Sequence, residues 1–131
     1  MPSIQQQRAA FALSQIKNSL SESVNQKEYL AYSSSFAPMV HQNGLLQAAS
    51  FYRRKGGTHE RLYKSLQIWL VNELNIFSVD TPELIENLSS CTISEYRTAQ
   101  AESQALLLWF KQFAKAYMLD EESSDEKEGS S

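Results

Sequence analysis

Residues 58–74, THERLYKSLQIWLVNEL, carry the clearest helical pattern in the chain. Four leucines recur there at intervals of four residues, at Leu62, Leu66, Leu70 and Leu74. This interval places their side chains on one face of an α-helix, which predicts a helix that buries one side. Gly56-Gly57 interrupts the chain just before this segment, and we expect Thr58 to cap the first turn.

Capping residues mark further helix starts on both sides of this segment. A Ser, Thr or Asn followed three positions later by Gln or Glu can satisfy the first free backbone amides of a helix. Three such pairs occur: Ser3 with Gln6, Asn25 with Glu28, and Thr92 with Glu95. The sequence Thr81-Pro82-Glu83 has a proline at the first helical position and predicts a short helix to about Leu88.

Helix ends are marked less often. Asn43-Gly44 predicts a stop, since glycine adopts the backbone conformation that ends a helix, and a third helix then follows from about Leu45 to Lys55. Pro38 lacks an amide hydrogen, so the second helix is expected to kink or restart near Ala37. We expect the last helix to run to about Leu119, with an inward face of Ala99, Leu106, Phe110, Phe113, Ala114 and Tyr117.

These elements predict an all-α fold, a compact bundle of about six helices joined by short connections. The 131 residues are 42% hydrophobic, which is enough for the core of one domain. We place this helical domain at residues 1–119. Residues 120–131, DEESSDEKEGSS, have no apolar side chain, and we expect them to form a disordered acidic tail.

The net charge of −3 is unevenly distributed. Residues 120–131 contain six acidic residues and one basic residue, which leaves 11 basic and 9 acidic residues in the remainder. The predicted domain is therefore mildly basic, and its charge decides what it can bind.

A single cysteine, Cys91, excludes an internal disulfide and a zinc site built from several thiolates. We expect it to form a small apolar staple with Tyr96 at the start of the last helix. The chain shows no secretory signal pattern and no apolar run long enough to span a membrane, so we expect a cytoplasmic protein.

A search for catalytic motifs finds none that is complete. His59-Glu60 begins like a zinc protease motif, but Tyr63 stands where the second histidine would be needed. Gly56-Gly57-Thr58 lacks the lysine and the preceding strand of a phosphate-binding loop. Glu83 and Glu86, one turn apart, are typical of a solvated helix face. The residues predict neither an enzyme nor a metal or other cofactor.

Basic residues cluster instead around the glycine pair. Five of them lie at the end of the third helix and the start of the fourth, and we name these as candidates for phosphate contact: Arg53, Arg54, Lys55, Arg61 and Lys64. Cations at a helix C-terminus also offset the helix dipole, which is a purely structural explanation for the first three. Second-tier candidates are Lys17 on the first helix and Lys111 and Lys115 on the last. Tyr52 could stack on a base or simply pack.

Four stretches occur in order along residues 4–119. The first is RAAFA at residues 8–12. The second is FAPMVHQNGLLQAASFYRRK at residues 36–55, in which a proline within a helix precedes Asn-Gly-Leu and an apolar stripe that ends in Phe and basic residues. The third is Trp69-Leu70, and the fourth is residues 96–114, which begin Tyr-Arg and end WFKQFA. In these stretches the chain resembles the small helical subunit of the type III-B (Cmr) CRISPR RNA-guided effector complex.

The resemblance implies a non-catalytic subunit for antiviral defence. Such subunits stack head to tail along the duplex of guide RNA and target RNA, contact its backbone and bridge the other subunits of the Cmr complex. The implied partners are therefore those subunits, the RNA backbone and further copies of the chain. Because guide pairing reads the sequence, a protein lining the duplex needs only positive charge and shape. Trp69 and Trp109 would be core or subunit-contact residues. A further hypothesis is that the acidic tail competes weakly with RNA for the basic residues of the domain.

Two other interpretations remain open at this point. A helical protein–protein adaptor with no nucleic-acid contact is compatible with the small positive surplus of the domain. A small hydrolase would need an acid–base pair in a pocket, and the residues offer none.

Overall fold

Helices account for most of the chain in the computed structural model, which describes residues 1–79 and 81–119. The six α-helices of this part are α1 (Ile4–Ser21), α2 (Gln26–Asn43), α3 (Leu45–Lys55), α4 (Gly57–Gln67), α5 (Leu84–Ser90) and α6 (Ile93–Tyr117). A single π-helical segment, Ile68–Glu73, continues α4. No strand occurs within these ranges, so the predicted all-α bundle is confirmed. The predicted acidic tail lies outside the described residues.

Capping predictions hold at three helix starts. Ser3 and Thr92 each form a complete capping box with the Gln or Glu three positions later. The Asn25 side chain accepts a hydrogen bond from the Glu28 amide at 3.0 Å. Each bond satisfies an amide that the helix itself leaves without a partner.

The Thr58 cap is wrong. Helix α4 begins at Gly57 with Gly56 as its N-cap, and no side chain caps it. The Thr58 hydroxyl instead donates to a Glu28 carboxylate oxygen at 3.1 Å, so it ties α4 to the start of α2. Glycine adopts the unusual backbone of Gly56, at φ 71° and ψ −172°, without steric cost.

The start of α5 is also displaced. Glu83, not Thr81, is the N-cap, and the helix begins at Leu84. Side chains of α4 satisfy its first amides, because Leu84 donates to Gln67 at 2.7 Å and Ile85 donates to the Tyr63 hydroxyl at 3.2 Å. Tertiary partners therefore set this boundary in place of a local cap.

Helix α2 continues through Pro38 to Asn43, so the expected restart near Ala37 does not occur. Gly44 then ends the helix at φ 86° and ψ 156°, and its amide donates to Val40 at 2.9 Å. Only glycine adopts this backbone readily, which explains the sharp stop before α3.

Helix α6 forms the centre of one layer and packs against both α1 and α2. Leu119 donates its amide to Gln26, and the Tyr96 hydroxyl accepts from Leu46, so α6 runs antiparallel to α2. Helix α4 runs antiparallel to α1, since Arg61 reaches Glu22 while Trp69 lies against Phe11. Helices α3 and α4 pack against each other and against α2 to form the second layer.

The core lies between these layers. Its largest fully buried side chains include Tyr29, Phe36, Tyr52, Tyr63 and Phe110. The predicted stripe of α4 is confirmed for Leu62, Leu66 and Leu70, which are buried, and Leu74 is half-buried. Most of the predicted inward face of α6 is buried or half-buried, but Tyr117 is 50% exposed, since the helix ends there at the margin of the bundle.

One carboxylate joins three elements of the core. Glu102 of α6 accepts from Arg8 of α1 at 2.6 and 2.8 Å and from the Trp69 indole at 2.9 Å. The hydrogen bond from Arg8 is the main cause that lowers the pKa of Glu102. A paired carboxylate of this kind is stable in a partly buried position that an unpaired one would avoid.

Candidate nucleic-acid interface

One end of the bundle gathers the ends of five helices. Helices α1, α3 and α6 finish there, and α2 and α4 begin there. The contacts that define it are Thr58 with Glu28, Arg61 with Glu22 and Leu119 with Gln26. The Gly56-Gly57 turn, which the sequence analysis singled out, lies at this end.

Arg54 and Lys55 are exposed at the close of α3. The Arg54 guanidinium carbon lies 5.4 Å from the centre of the Phe51 ring, and the Lys55 ammonium lies 5.9 Å from it. A ring face attracts cations and limits their motion without neutralising them. Both charges therefore remain available to a polyanion.

Arg53 and Lys64 lie on another side of the α3–α4 pair, and both are close to acids. The Arg53 guanidinium donates to Glu83 at 2.5 Å, and Lys64 lies 4.0 Å from Glu60. The Tyr63 hydroxyl also donates to Glu83, at 2.7 Å, and these two hydrogen bonds lower the pKa of Glu83, with that from Tyr63 the larger cause. Glu83 therefore stays ionised and offsets the Arg53 charge.

Arg61 faces α1. Its Nε donates to the Ser19 hydroxyl at 2.7 Å, and another guanidinium nitrogen lies 2.7 Å from a Glu22 carboxylate oxygen. These contacts hold α4 against the end of α1. The five residues of the predicted cluster thus point in three directions, because consecutive positions on a helix face different sides.

Lys17 and Lys115 are far from Gly56-Gly57 in sequence, but they lie toward the same end of the bundle. Helices α1 and α6 run in the same direction, and the rings of Phe11 and Phe110 are 6.5 Å apart. Lys17 and Lys115 follow these rings by six and five residues, so both lie near the end of the bundle that carries Lys55.

We call the set Lys17, Arg54, Lys55 and Lys115 the basic end. All four side chains are exposed, and none forms an ion pair with the residues that the structure describes. Lys111, one turn before Lys115, is half-buried. The neighbouring acids are engaged elsewhere, since Glu22 pairs with Arg61 and Glu28 accepts from Thr58.

Aromatic rings close to the basic end pack against one another, either stacked or edge to face. His59 stacks on Tyr32 with centroids 3.6 Å apart and meets the edges of Phe51 and Tyr52. Burial and, second, the charge of Lys55 lower the pKa of His59. Tyr52 is buried, stacks on Phe36 and donates to the Tyr32 carbonyl at 2.6 Å. Tyr52 therefore packs, and it is not placed to stack on a base.

A shallow groove on the first half of α6 was missed by sequence reasoning. Tyr96, Arg97, Gln100, Ala101 and Gln104 line a volume of about 350 Å³. Arg97 is exposed and makes no ion pair with the described residues. The spacing of these residues shows that they share a helix side. Only the packing of α1 and α2 shows that this side is open.

Among the described residues, no group of three His, Cys, Asp or Glu side chains is arranged to hold a metal ion. Cys91 is half-buried, and burial raises the pKa of its thiol. A raised pKa disfavours the thiolate, which is the nucleophilic form.

Across residues 1–79 and 81–119, no helix has the length and apolar character needed to cross a membrane.

The chain also matches a known protein family. Residues 4–117 match the family described as CRISPR-associated protein (Cas_Cmr5). No curated protein matches the chain. The family match covers every described helix and all eight candidate cations. The chain therefore belongs to the Cas_Cmr5 family and is a Cmr5-type small subunit of the type III-B CRISPR complex.

Proposed function

We propose that this subunit is a non-catalytic building block that stacks head to tail along the duplex of guide RNA and target RNA. It contacts the RNA backbone through its basic end and bridges the other subunits of the complex. Membership of the Cas_Cmr5 family supports a place in a CRISPR complex, and the exposed cations of the basic end support contact with the RNA backbone.

The observation that carries this proposal is that cations from three helices lie at one end of the bundle, and that none of them is ion-paired with a described residue. Lys17 comes from α1, Arg54 and Lys55 from α3, and Lys115 from α6. Phosphates are recognised by charge without reading the base sequence. Such contacts suit a subunit of an RNA-guided complex, in which base pairing supplies specificity. One copy can displace few counterions, so tight binding requires several stacked copies.

The two ends of the bundle differ, which supports a head-to-tail arrangement. Residues 65–96 contain no Lys or Arg, and Glu73 and Glu95 lie toward the end opposite the basic end. Two apolar side chains near that end, Val79 and Ile93, are 64% and 72% exposed. The Ser78 hydroxyl donates to Glu95 at 2.7 Å. Unlike ends favour contact between two different faces, which can repeat along a filament.

The test is the salt dependence of target-RNA binding by the assembled complex. The variant Arg54→Gln with Lys55→Gln should flatten the plot of log affinity against log salt by nearly one unit for each phosphate that the variant no longer binds. The matched control, Arg53→Gln with Lys64→Gln, removes the same charge from positions already offset by Glu83 and Glu60. We expect a smaller change for the control.

An unchanged slope in the first variant would favour the alternative, a helical adaptor without nucleic-acid contact. The small surplus of basic over acidic residues before residue 120 is the observation behind that alternative. An adaptor would still assemble with its partner subunits, so recovery of the intact complex checks that both variants fold and join it.

A further inference from the structure

The groove on α6 has a chemistry distinct from that of the basic end. Of its five lining residues, Tyr96, Gln100 and Gln104 carry neutral polar groups, Arg97 carries a charge and Ala101 is apolar. Its volume of about 350 Å³ is open to solvent along one side of α6.

Two of the polar groups are already fixed by the backbone of α3. The Tyr96 hydroxyl accepts a hydrogen bond from the Leu46 amide at 2.9 Å, and the Gln100 carbonyl oxygen accepts one from the Leu45 amide at 3.0 Å. These contacts cap α3, which has no side-chain cap of its own. They also orient both groups, since the acceptor atoms face α3.

Tyr96 and Gln100 are left with hydrogen-bond donors. A tyrosine whose oxygen accepts can still donate its hydroxyl hydrogen, and a glutamine whose carbonyl accepts still has two amide hydrogens. Arg97 adds five N–H donors and a permanent charge. Capping α3 explains Tyr96 and Gln100, but it gives no role to Arg97 or Gln104. The groove therefore suits a ligand that is anionic and rich in acceptors.

A row of exposed residues continues from the groove along α6. It consists of Arg97, Ala101, Leu108, Gln112 and Lys115, and contains no acid. Arg97 and Lys115 are 18 residues apart, so the row is about 27 Å long, at 1.5 Å per residue. A single carboxylate would need only one of these cations, whereas an extended polyanion can use both.

We propose that the groove binds a phosphodiester of the RNA backbone, and that the row leads the strand from Arg97 to Lys115 at the basic end. This inference rests on the proposed function, since it assumes that the subunit contacts RNA. It adds a second phosphate contact on another part of the surface, and it assigns that contact to Arg97.

The test is a titration of the full chain, labelled with ¹⁵N, with a short RNA duplex at low salt. We expect amide shifts at Arg97, Ala101 and Gln104 as well as at the basic end. Arg97→Gln should abolish the groove shifts and flatten the salt dependence by nearly one unit. Lys64→Gln is the control, because it removes the same charge from a different side of the bundle.

The outcomes separate the two proposals. Shifts confined to the basic end, with Arg97→Gln behaving like the parent chain, would overturn the groove and leave the proposed function standing. No RNA-dependent shift anywhere, in the free chain and in the assembled complex, would overturn both. A ten-residue polyglutamate that shifts the groove as strongly as RNA of equal charge would identify a carboxylate site and also overturn the phosphodiester assignment.

Discussion

His59 packs within a cluster of aromatic rings. Its ring lies between Tyr32, Phe51 and Tyr52, with Lys55 and Glu28 as the nearest charged groups. Protonation would place a cation in this partly buried cluster beside the like charge of Lys55, which explains the direction of its pKa. The sequence showed that the zinc protease motif at His59-Glu60 is incomplete, but it did not predict the aromatic stack.

This arrangement predicts a pH dependence. Because the pKa of His59 is lower in the folded chain than in the unfolded one, protons favour the unfolded state. The free energy of unfolding should be fully retained above the ordinary histidine pKa of about 6.5 and should decline as the pH falls below it. His59→Phe should keep the ring packing and remove most of this decline. Urea unfolding from pH 7.5 to 5.5 measures it.

His41→Phe is the matched control, since His41 is the other histidine and is exposed near the end of α2. The carboxylates with lowered pKa values, including Glu83 and Glu102, lose their contribution only at pH values below their ordinary range, so they do not interfere. An equal decline in His59→Phe and in the parent chain would contradict the prediction.

At the scale of elements, α4 sets the start of α5. The Tyr63 hydroxyl both donates to Glu83 and accepts from the Ile85 amide, and Gln67 accepts from Leu84. A helix of seven residues is too short to be stable alone, so these side-chain contacts determine where it begins. In the π-helical segment after α4, the Trp69 indole donates a hydrogen bond to Glu102 of α6.

Tyr63→Phe therefore tests the link between α4 and α5. We expect the free energy of unfolding to fall by about 1–2 kcal/mol, because the ring stays buried while the Ile85 amide loses its acceptor and Glu83 keeps only Arg53 as a donor among the described residues. Hydrogen exchange at Ile85 should accelerate more than exchange at Leu66. Tyr117→Phe, at a half-exposed tyrosine, should change stability by less than about 0.5 kcal/mol. Equal effects of the two variants would exclude the capping role.

At the scale of the whole molecule, the chain is electrostatically polar. The basic end also carries Leu119, where residues 120–131 with their net negative charge are joined. Since this negative segment is joined at Leu119, four residues after Lys115, we expect it to lower the local attraction for a polyanion. This geometry supports the hypothesis that the acidic tail competes with RNA.

Deleting residues 120–131 should accordingly raise RNA affinity several-fold at low salt and have little effect at high salt, where charges are screened. Binding of an RNA duplex at two salt concentrations measures this. Replacing the acids of the segment by Asn and Gln at constant length is the control for chain length. Unchanged affinity at low salt would contradict competition.

Sequence by itself determined the elements whose signals are local. The caps at Ser3, Asn25 and Thr92 and the stop at Gly44 were predicted because each depends on residues within one turn. The family resemblance rests on the same kind of information, a linear order of residues. The Thr58 cap was wrong because α4 begins one residue earlier, at Gly57, and the Thr58 hydroxyl donates to Glu28 of α2. The Thr81 cap was wrong because Gln67 and Tyr63 of α4 accept from the first amides of a helix that begins at Leu84.

Only the tertiary structure decided how the charges are used. Five neighbouring cations in sequence were divided among Glu83, α1 and solvent, since successive helical residues point in different directions. Lys17 and Lys115, nearly a hundred positions apart, came to the same end because α1 and α6 run in parallel. Tyr96 and Gln100, which line the groove together with Arg97, are oriented by the Leu46 and Leu45 amides of another helix. A charge acts through space, so its neighbours become known only when the helices are packed.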